Sequence, residues 1–272
     1  MTFVEKLTDI VQKNDSLLCV GLDSDETRLP VGQNQLSFNK AIIDATYDLV
    51  CAYKPNIAFY EALGAEGIET LKSTCGYLNE HYPDVPIILD AKRADIGSTN
   101  GGYVQFAYEY LGADAVTLHP YLGREALEPF LELPDKGAII LCRNSNPGAG
   151  EFQDLPVDGS GSLYEKVARS VKESWNTNGN CLLVVGATYP DDLARVREIV
   201  GDDMWLLVPG VGAQGGDVEA TVRVGQNSRG DGMIINSSRG IIFASDGEDF
   251  AGSARKEAKR LRDAINVHRR KD

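Results

Sequence analysis

The sequence predicts an α/β fold closed as a (β/α)8 barrel of the TIM type, and three observations carry that expectation. Eight short apolar runs, each ending in polar or glycine residues, recur along the chain; helix-length amphipathic stretches separate them; and 272 residues, 43% of them hydrophobic, suffice for one large core. Continuous apolar runs read as strands covered on both faces, the pattern of parallel β/α units. Eight near-equal units favour closure over a doubly wound open sheet, which is the alternative architecture. One domain spanning residues 1–272 is expected, since barrels reach this length as a single unit and no linker, repeat or low-complexity segment interrupts the chain.

The elements follow in order. MTFVEKLTDIVQKN (1–14) spaces Phe3, Leu7, Ile10 and Val11 along one helical face with charges between them, which makes an amphipathic helix and not a signal peptide. The strand runs are SLLCVGLD (16–23), CAYKPNIAF (51–59), VPIILDAK (85–92), DAVTLHP (114–120), GAIILCRNSN (137–146), CLLVVGAT (181–188), WLLVPGVG (205–212) and GMIINSSRG (232–240). Helical stretches between them include SFNKAIIDATYDLV (37–50), EALGAEGIETLKSTCGYLNE (61–80), GGYVQFAYEYLG (101–112) and LYEKVARSVKESWN (163–176), with FAGSARKEAKRLRDAINVHRR (250–270) last. NPGAGEFQDLPVDGSGS (146–162), after the fifth strand, is long enough to act as a lid.

Composition narrows the function. A formal charge of −13 repels phosphate backbones and anionic headgroups, which argues against nucleic-acid and membrane partners. An anionic ligand must therefore meet a local cluster of cations. The same acidity suits a salt-rich cytoplasm or an ordinary acidic enzyme, and both readings stay open. Cys19, Cys51, Cys75, Cys142 and Cys181 are odd in number and mostly lie in apolar runs, as reduced thiols of a cytoplasmic protein would. With three histidines and no CxxC, the usual zinc spacings are missing, so no metal is expected. No apolar run approaches the ~20 residues of a membrane span.

Barrel active sites lie at the carboxyl ends of the strands. Reading those ends gives Asp23, Lys54, Asp90 with Lys92, Ser145, Gln214 and Arg239. Strand residues two apart share a face, so Asp90 and Lys92 are expected to project together into the mouth, with Asp95 three residues on. The expected result is an alternating array of Lys54, Asp90, Lys92 and Asp95 held by one another. A solvated turn with surface ion pairs worth ~0–1 kcal/mol is the plainer reading of DAKRAD, but its position straight after PIIL favours a site. PGVGAQGG (209–216) and NSSRG (236–240) end the last two strands, where barrels often bind phosphate, and Arg239 adds a fork of donors. Glycines there are also ordinary turn residues. His119 reads as a satisfied strand-end histidine, and Arg93 and Arg143 as structural or surface cations.

GLD (21–23), YKPNIAFYE (53–61), DAKRADIGSTN (90–100), NSNPGAGEFQ (144–153), PGVGAQGG and NSSRG occur in that order over most of the chain. Together they resemble the orotidine 5′-monophosphate decarboxylase family, in its longer bacterial and archaeal type. The resemblance implies decarboxylation of orotidine 5′-monophosphate to uridine 5′-monophosphate and carbon dioxide, without a cofactor. It implies that Lys92 is the proton donor, that Asp90 lies against the substrate carboxylate, and that Lys54 holds both while reaching the ribose. Asp23 would bind ribose, Ser145 the pyrimidine amide edge, and Gln214 and Arg239 the phosphate. Asp95, Ile96 and Thr99 would reach into a partner subunit's site, which implies a homodimer with shared active sites. Asn144 replaces a threonine common in relatives, and Gly97 a proline; neither is a residue with a chemical role. Two other functions compete. Magnesium-dependent sugar-phosphate decarboxylases and synthases of the same barrel group share the DxKxxD strand, but a cation at Lys54 opposes a metal that favours oxygen ligands. A silent phosphate-binding barrel would be expected to lose part of the charged array, which this chain keeps.

Overall fold

The computed structural model describes residues 1–211 and 217–270. Its sheet has eight strands: β1 (Leu18–Gly21), β2 (Ala52–Lys54), β3 (Ile88–Arg93), β4 (Ala115–Leu118), β5 (Gly137–Arg143), β6 (Cys181–Val185), β7 (Leu206–Pro209) and β8 (Met233–Ser237). Each falls on one of the apolar runs, β3 continuing one residue further. The spatial order is β2-β1-β8-β7-β6-β5-β4-β3, with every pair parallel. The ends of that order meet through isolated bridges, Tyr53 to Ile87 and Asn56 to Asp90. Pro55 and Pro86 have no N–H to give, so a continuous ladder is impossible at this seam. Single bonds replace it: Tyr53 N–H to Pro86 O at 3.0 Å and Asp90 N–H to Pro55 O at 2.9 Å. The barrel is closed, and the open sheet is set aside.

The first helix, Phe3–Asn14, starts at a capping box in which Thr2 Oγ1 accepts from Glu5 N–H (3.2 Å) and the Glu5 carboxylate accepts from Thr2 N–H (2.8 Å). Its apolar face, Phe3, Leu7, Ile10 and Val11, is buried. Lys6 pairs with Asp114 at 2.9 Å, and Asp114 Oδ2 accepts from Ile87 N–H at 2.8 Å. The Phe3 ring packs so tightly on Gly137 that a Cβ there would come within 2.6 Å of it. Ile87, Asp114 and Gly137 stand at the amino ends of β3, β4 and β5. The helix therefore plugs the end of the barrel opposite the expected site.

At the other terminus, Phe250–His268 packs on Gln35–Thr46. Phe38 stacks on Phe243 and on Phe250 with centroids 5.4 and 5.1 Å apart, each pair worth ~0.5–1.5 kcal/mol beyond its burial. Two expected elements are built differently. The helix expected over 61–80 is two pieces, Ala58–Glu61 and Gly64–His81, with Gly64 at φ 63° where the chain turns between them. The segment 146–162 is no bare loop: Pro147–Ala149 and Gly150–Gln153 are short helical turns, and Pro156–Val157 pairs antiparallel with Gly161–Ser162. Gly159 and Gly161, at φ 71° and 80°, supply the reversal. No helix among the described residues is long and apolar enough to cross a membrane.

Candidate active site

Lys54 ends β2 and Asp90 lies in β3, facing each other across the barrel's seam. Lys54 Nζ donates to Asp90 Oδ2 at 2.9 Å, and both residues are buried. Lys92 Nζ donates to Asp90 Oδ1 at 2.6 Å, with its side chain half exposed. One carboxylate thus bridges two ammonium groups, one inside the barrel and one at its mouth.

Simple alternation along β3 does not bring Lys92 there. The register of β3 against β4 shifts between Leu89 and Arg93, and Lys92 adopts φ 47°, the left-handed region that a Cβ disfavours. The bulge, not the two-residue period, turns Lys92 onto Asp90. Thr117 of β4 holds this irregular corner: its Oγ1 accepts from Ala91 N–H (3.0 Å) and Lys92 N–H (2.9 Å) and donates to Asp90 Oδ1 (2.9 Å). Asn56 Nδ2 stands 3.5 Å from Asp90 Oδ2.

Burial alone would raise the Asp90 pKa, but the charges of Lys54 and Lys92 and their hydrogen bonds outweigh it and hold the carboxyl far below the usual range. Burial alone would likewise lower the Lys54 pKa; the charges of Asp90 and then Asp23 outweigh it, and its ammonium is held above the usual lysine range. Both groups are therefore charged throughout the neutral range.

A cavity of about 290 Å³ opens over this array. Of the expected residues, Asp23, Lys54, Asp90, Lys92, Ser145 and Arg239 line it. Leu141, Val184 and Leu207 add an apolar lining, and Asn236, Ser237 and Ser238 lead from β8 to the exposed Arg239. Gln214 lies outside the described residues. Asp95, Ile96 and Thr99 do not line the cavity of their own chain. The chain has left β3 by then: Asp95 N–H donates to Asn100 Oδ1 (2.9 Å), Asp95 Oδ1 accepts from Ile96 N–H (2.6 Å), and Ile96 and Thr99 are exposed. Within one chain the interlocked array is Lys54, Asp90 and Lys92, without the expected fourth member.

Several polar lining residues escaped the reading of strand ends, Asn56, Thr117 and Asn236 among them. Asn56 sits inside the quoted KPN motif and Asn236 inside NSSRG, so position alone could have found them. Thr117 is a lone hydroxyl in the apolar run AVTL, a signal that was available. The side-chain oxygens Asp23 Oδ1 and Asn236 Oδ1 are buried at this site with no hydrogen-bond partner among the described residues. Such atoms suit donors brought by a ligand. Arg143 is structural, as expected: it is buried, donates to Asp192 at 2.7 Å and lies over the Tyr189 ring at 4.5 Å. Arg93 pairs with Glu61. His119 stays out of the cavity lining, and its buried Nδ1 finds no partner among the described residues. Among the described residues, no cluster of three or more His, Cys, Asp or Glu side chains is arranged to hold a metal ion.

Comparison with known proteins gives concordant results. The chain is 53% identical to the orotidine 5′-phosphate decarboxylase of Janthinobacterium sp. (strain Marseille), over 98% of each chain. It is 52% identical to that of Cellvibrio japonicus (strain Ueda107), over 99% of this chain and 100% of the other. Among solved structures, Leishmania donovani OMP decarboxylase superposes with a TM-score of 0.86 at 39% identity, covering 98% of both chains. A family model described as "Orotidine 5'-phosphate decarboxylase / HUMPS family" matches residues 16–253, a span that runs from the first strand past Arg239. With motif, barrel, array and relatives in agreement, the chain is an enzyme that belongs to the orotidine 5′-phosphate decarboxylase / HUMPS family.

Proposed function

We propose that the chain converts orotidine 5′-monophosphate to uridine 5′-monophosphate and carbon dioxide, with Lys92 as proton donor and with no cofactor. The observation that carries the mechanism is the buried Asp90 carboxylate bridging Lys54 and Lys92 in the cavity lining. The bond between the ring carbon and the substrate carboxylate breaks, carbon dioxide leaves, and the electron pair stays on the ring carbon. Lys92 stabilises that charge and then donates its proton, becoming a neutral amine that solvent recharges.

Asp90 lies against the departing carboxylate. Two carboxylates 4 Å apart at an effective dielectric of 20 repel by ~4 kcal/mol, about three powers of ten in rate. Enzymes commonly accelerate by ~10⁶–10¹⁷, so repulsion is the smaller part and the preorganised Lys92 charge the larger. Lys54 keeps Asp90 ionised and reaches the ribose, which Asp23 also binds. Ser145 reads the pyrimidine amide edge; Gln214 and Arg239 hold the phosphate, whose binding energy closes the site. Asp95, Ile96 and Thr99 complete the site of a partner subunit in a homodimer; their absence from their own chain's cavity supports that assignment.

The test is loss of substrate absorbance with purified enzyme in EDTA. Turnover by the parent is expected, and Lys92→Ala should lose roughly 10²–10⁴-fold or more while still binding uridine 5′-monophosphate. Turnover that appears only when magnesium is restored would sink the cofactor-free reading, and an active Lys92→Ala enzyme would sink the role of Lys92.

A further inference from the structure

We infer that Thr117 is a positioning residue for Lys92, fixing at one oxygen both the backbone from which Lys92 rises and the carboxylate with which it pairs. The inference rests on the reading of Lys92 as proton donor and extends it to a residue on a different strand. Thr117 is 1% exposed, and its hydroxyl finds its partners within the protein. A hydroxyl has one proton and two lone pairs. Here all three are committed: the lone pairs to the N–H groups of Ala91 and Lys92, the proton to Asp90 Oδ1.

The geometry explains why a hydroxyl is needed at this point. In a regular parallel pair, successive N–H groups point to opposite sides, and carbonyls of the neighbouring strand accept in turn. At the bulge, two consecutive N–H groups converge, and Lys92 holds a left-handed φ of 47°. One side-chain oxygen can receive both. Without it, two donors, one buried and one part-buried, lose their acceptor, and Lys92 loses what holds it in a conformation that its Cβ disfavours. Asp90 Oδ1 would at the same time keep Lys92 as its remaining donor, with Lys54 holding the carboxylate through Oδ2.

Thr117→Val removes the oxygen at nearly unchanged volume. It should lower kcat by ~10²-fold with KM within ~3-fold of the parent, because the proton donor is misplaced while the groups that bind the nucleotide are untouched. Thr117→Ser keeps the oxygen and should restore kcat to within ~5-fold. If the valine variant does not fold, Thr117→Cys, whose thiol is a weak donor and acceptor, takes its place and should fall between the two. Parental kcat in the valine or cysteine variant, or a serine variant as impaired as valine, overturns the inference. Lys92→Ala in the same assay separates the two claims. Its activity would remove the premise, whereas inactive Lys92→Ala beside a fully active Thr117→Val would remove the role of Thr117 alone.

Discussion

Asp90 stays ionised inside the barrel because donors meet both of its oxygens: Lys92 and Thr117 on one side, Lys54 on the other. Its carboxyl pKa is depressed in the folded state, so its contribution to stability is complete above the unfolded value of ~3.9 and is lost as pH falls below it. Lys54 is shifted upward, so its contribution is complete below ~10.4 and is lost only as pH rises beyond that. Between these limits neither group titrates. Asp90→Asn leaves the buried Lys54 ammonium without its anion, which should cost about 3 kcal/mol by urea unfolding at neutral pH. The same variant should lose less stability than the parent between pH 4 and pH 2, since the depressed carboxyl is gone. Equal acid sensitivity in the two proteins would contradict the assignment.

At the level of elements, the carboxyl ends of β5 and β6 approach each other closely at the site. Gly186, just past β6, donates its N–H to Arg143 O at 2.7 Å, and a Cβ on it would sit 2.8 Å from Ser145 N. Gly186→Ala should therefore push Ser145 outward and weaken uridine 5′-monophosphate binding by ~10-fold, an overpacking penalty of ~1–3 kcal/mol, with the far-ultraviolet circular dichroism unchanged. The strands were legible because parallel strands buried on both faces write themselves as apolar runs, and Lys54, Asp90 and Arg239 were legible because polar residues end those runs. The bulge at Lys92 was not, because strand periodicity assumes a regular ladder and nothing in DAKRAD marks the left-handed residue. Thr117 was hidden for a related reason: its role depends on the register of β4 against β3, a non-local fact. The split at Gly64 and the hairpin within 146–162 are likewise settled by packing, with glycines as the only local hint.

For the whole molecule, the residues beyond β3 matter most. Asp95 and Thr99 belong to the DAKRADIGSTN motif yet lie outside the cavity beside them, and in the proposed homodimer they would serve the partner's site. Mixing inactive Lys92→Ala and Asp95→Ala proteins under subunit exchange should recover ~25% of parental activity, since half the dimers are mixed and one of their two sites is intact. No recovery after exchange verified by mass spectrometry would refute shared sites. The chain's charge of −13 gives such a dimer twice that charge, so exchange should be run at salt high enough to screen it.

The helix Phe3–Asn14 has one further consequence. Because it covers the amino ends of β3, β4 and β5, the cavity faces away from that end of the barrel among the described residues. Carbon dioxide released over the array would then pass out by the carboxyl-end mouth, alongside the nucleotide or after it. On that path both products share the mouth with the entering substrate, so release of one bears on release of the other.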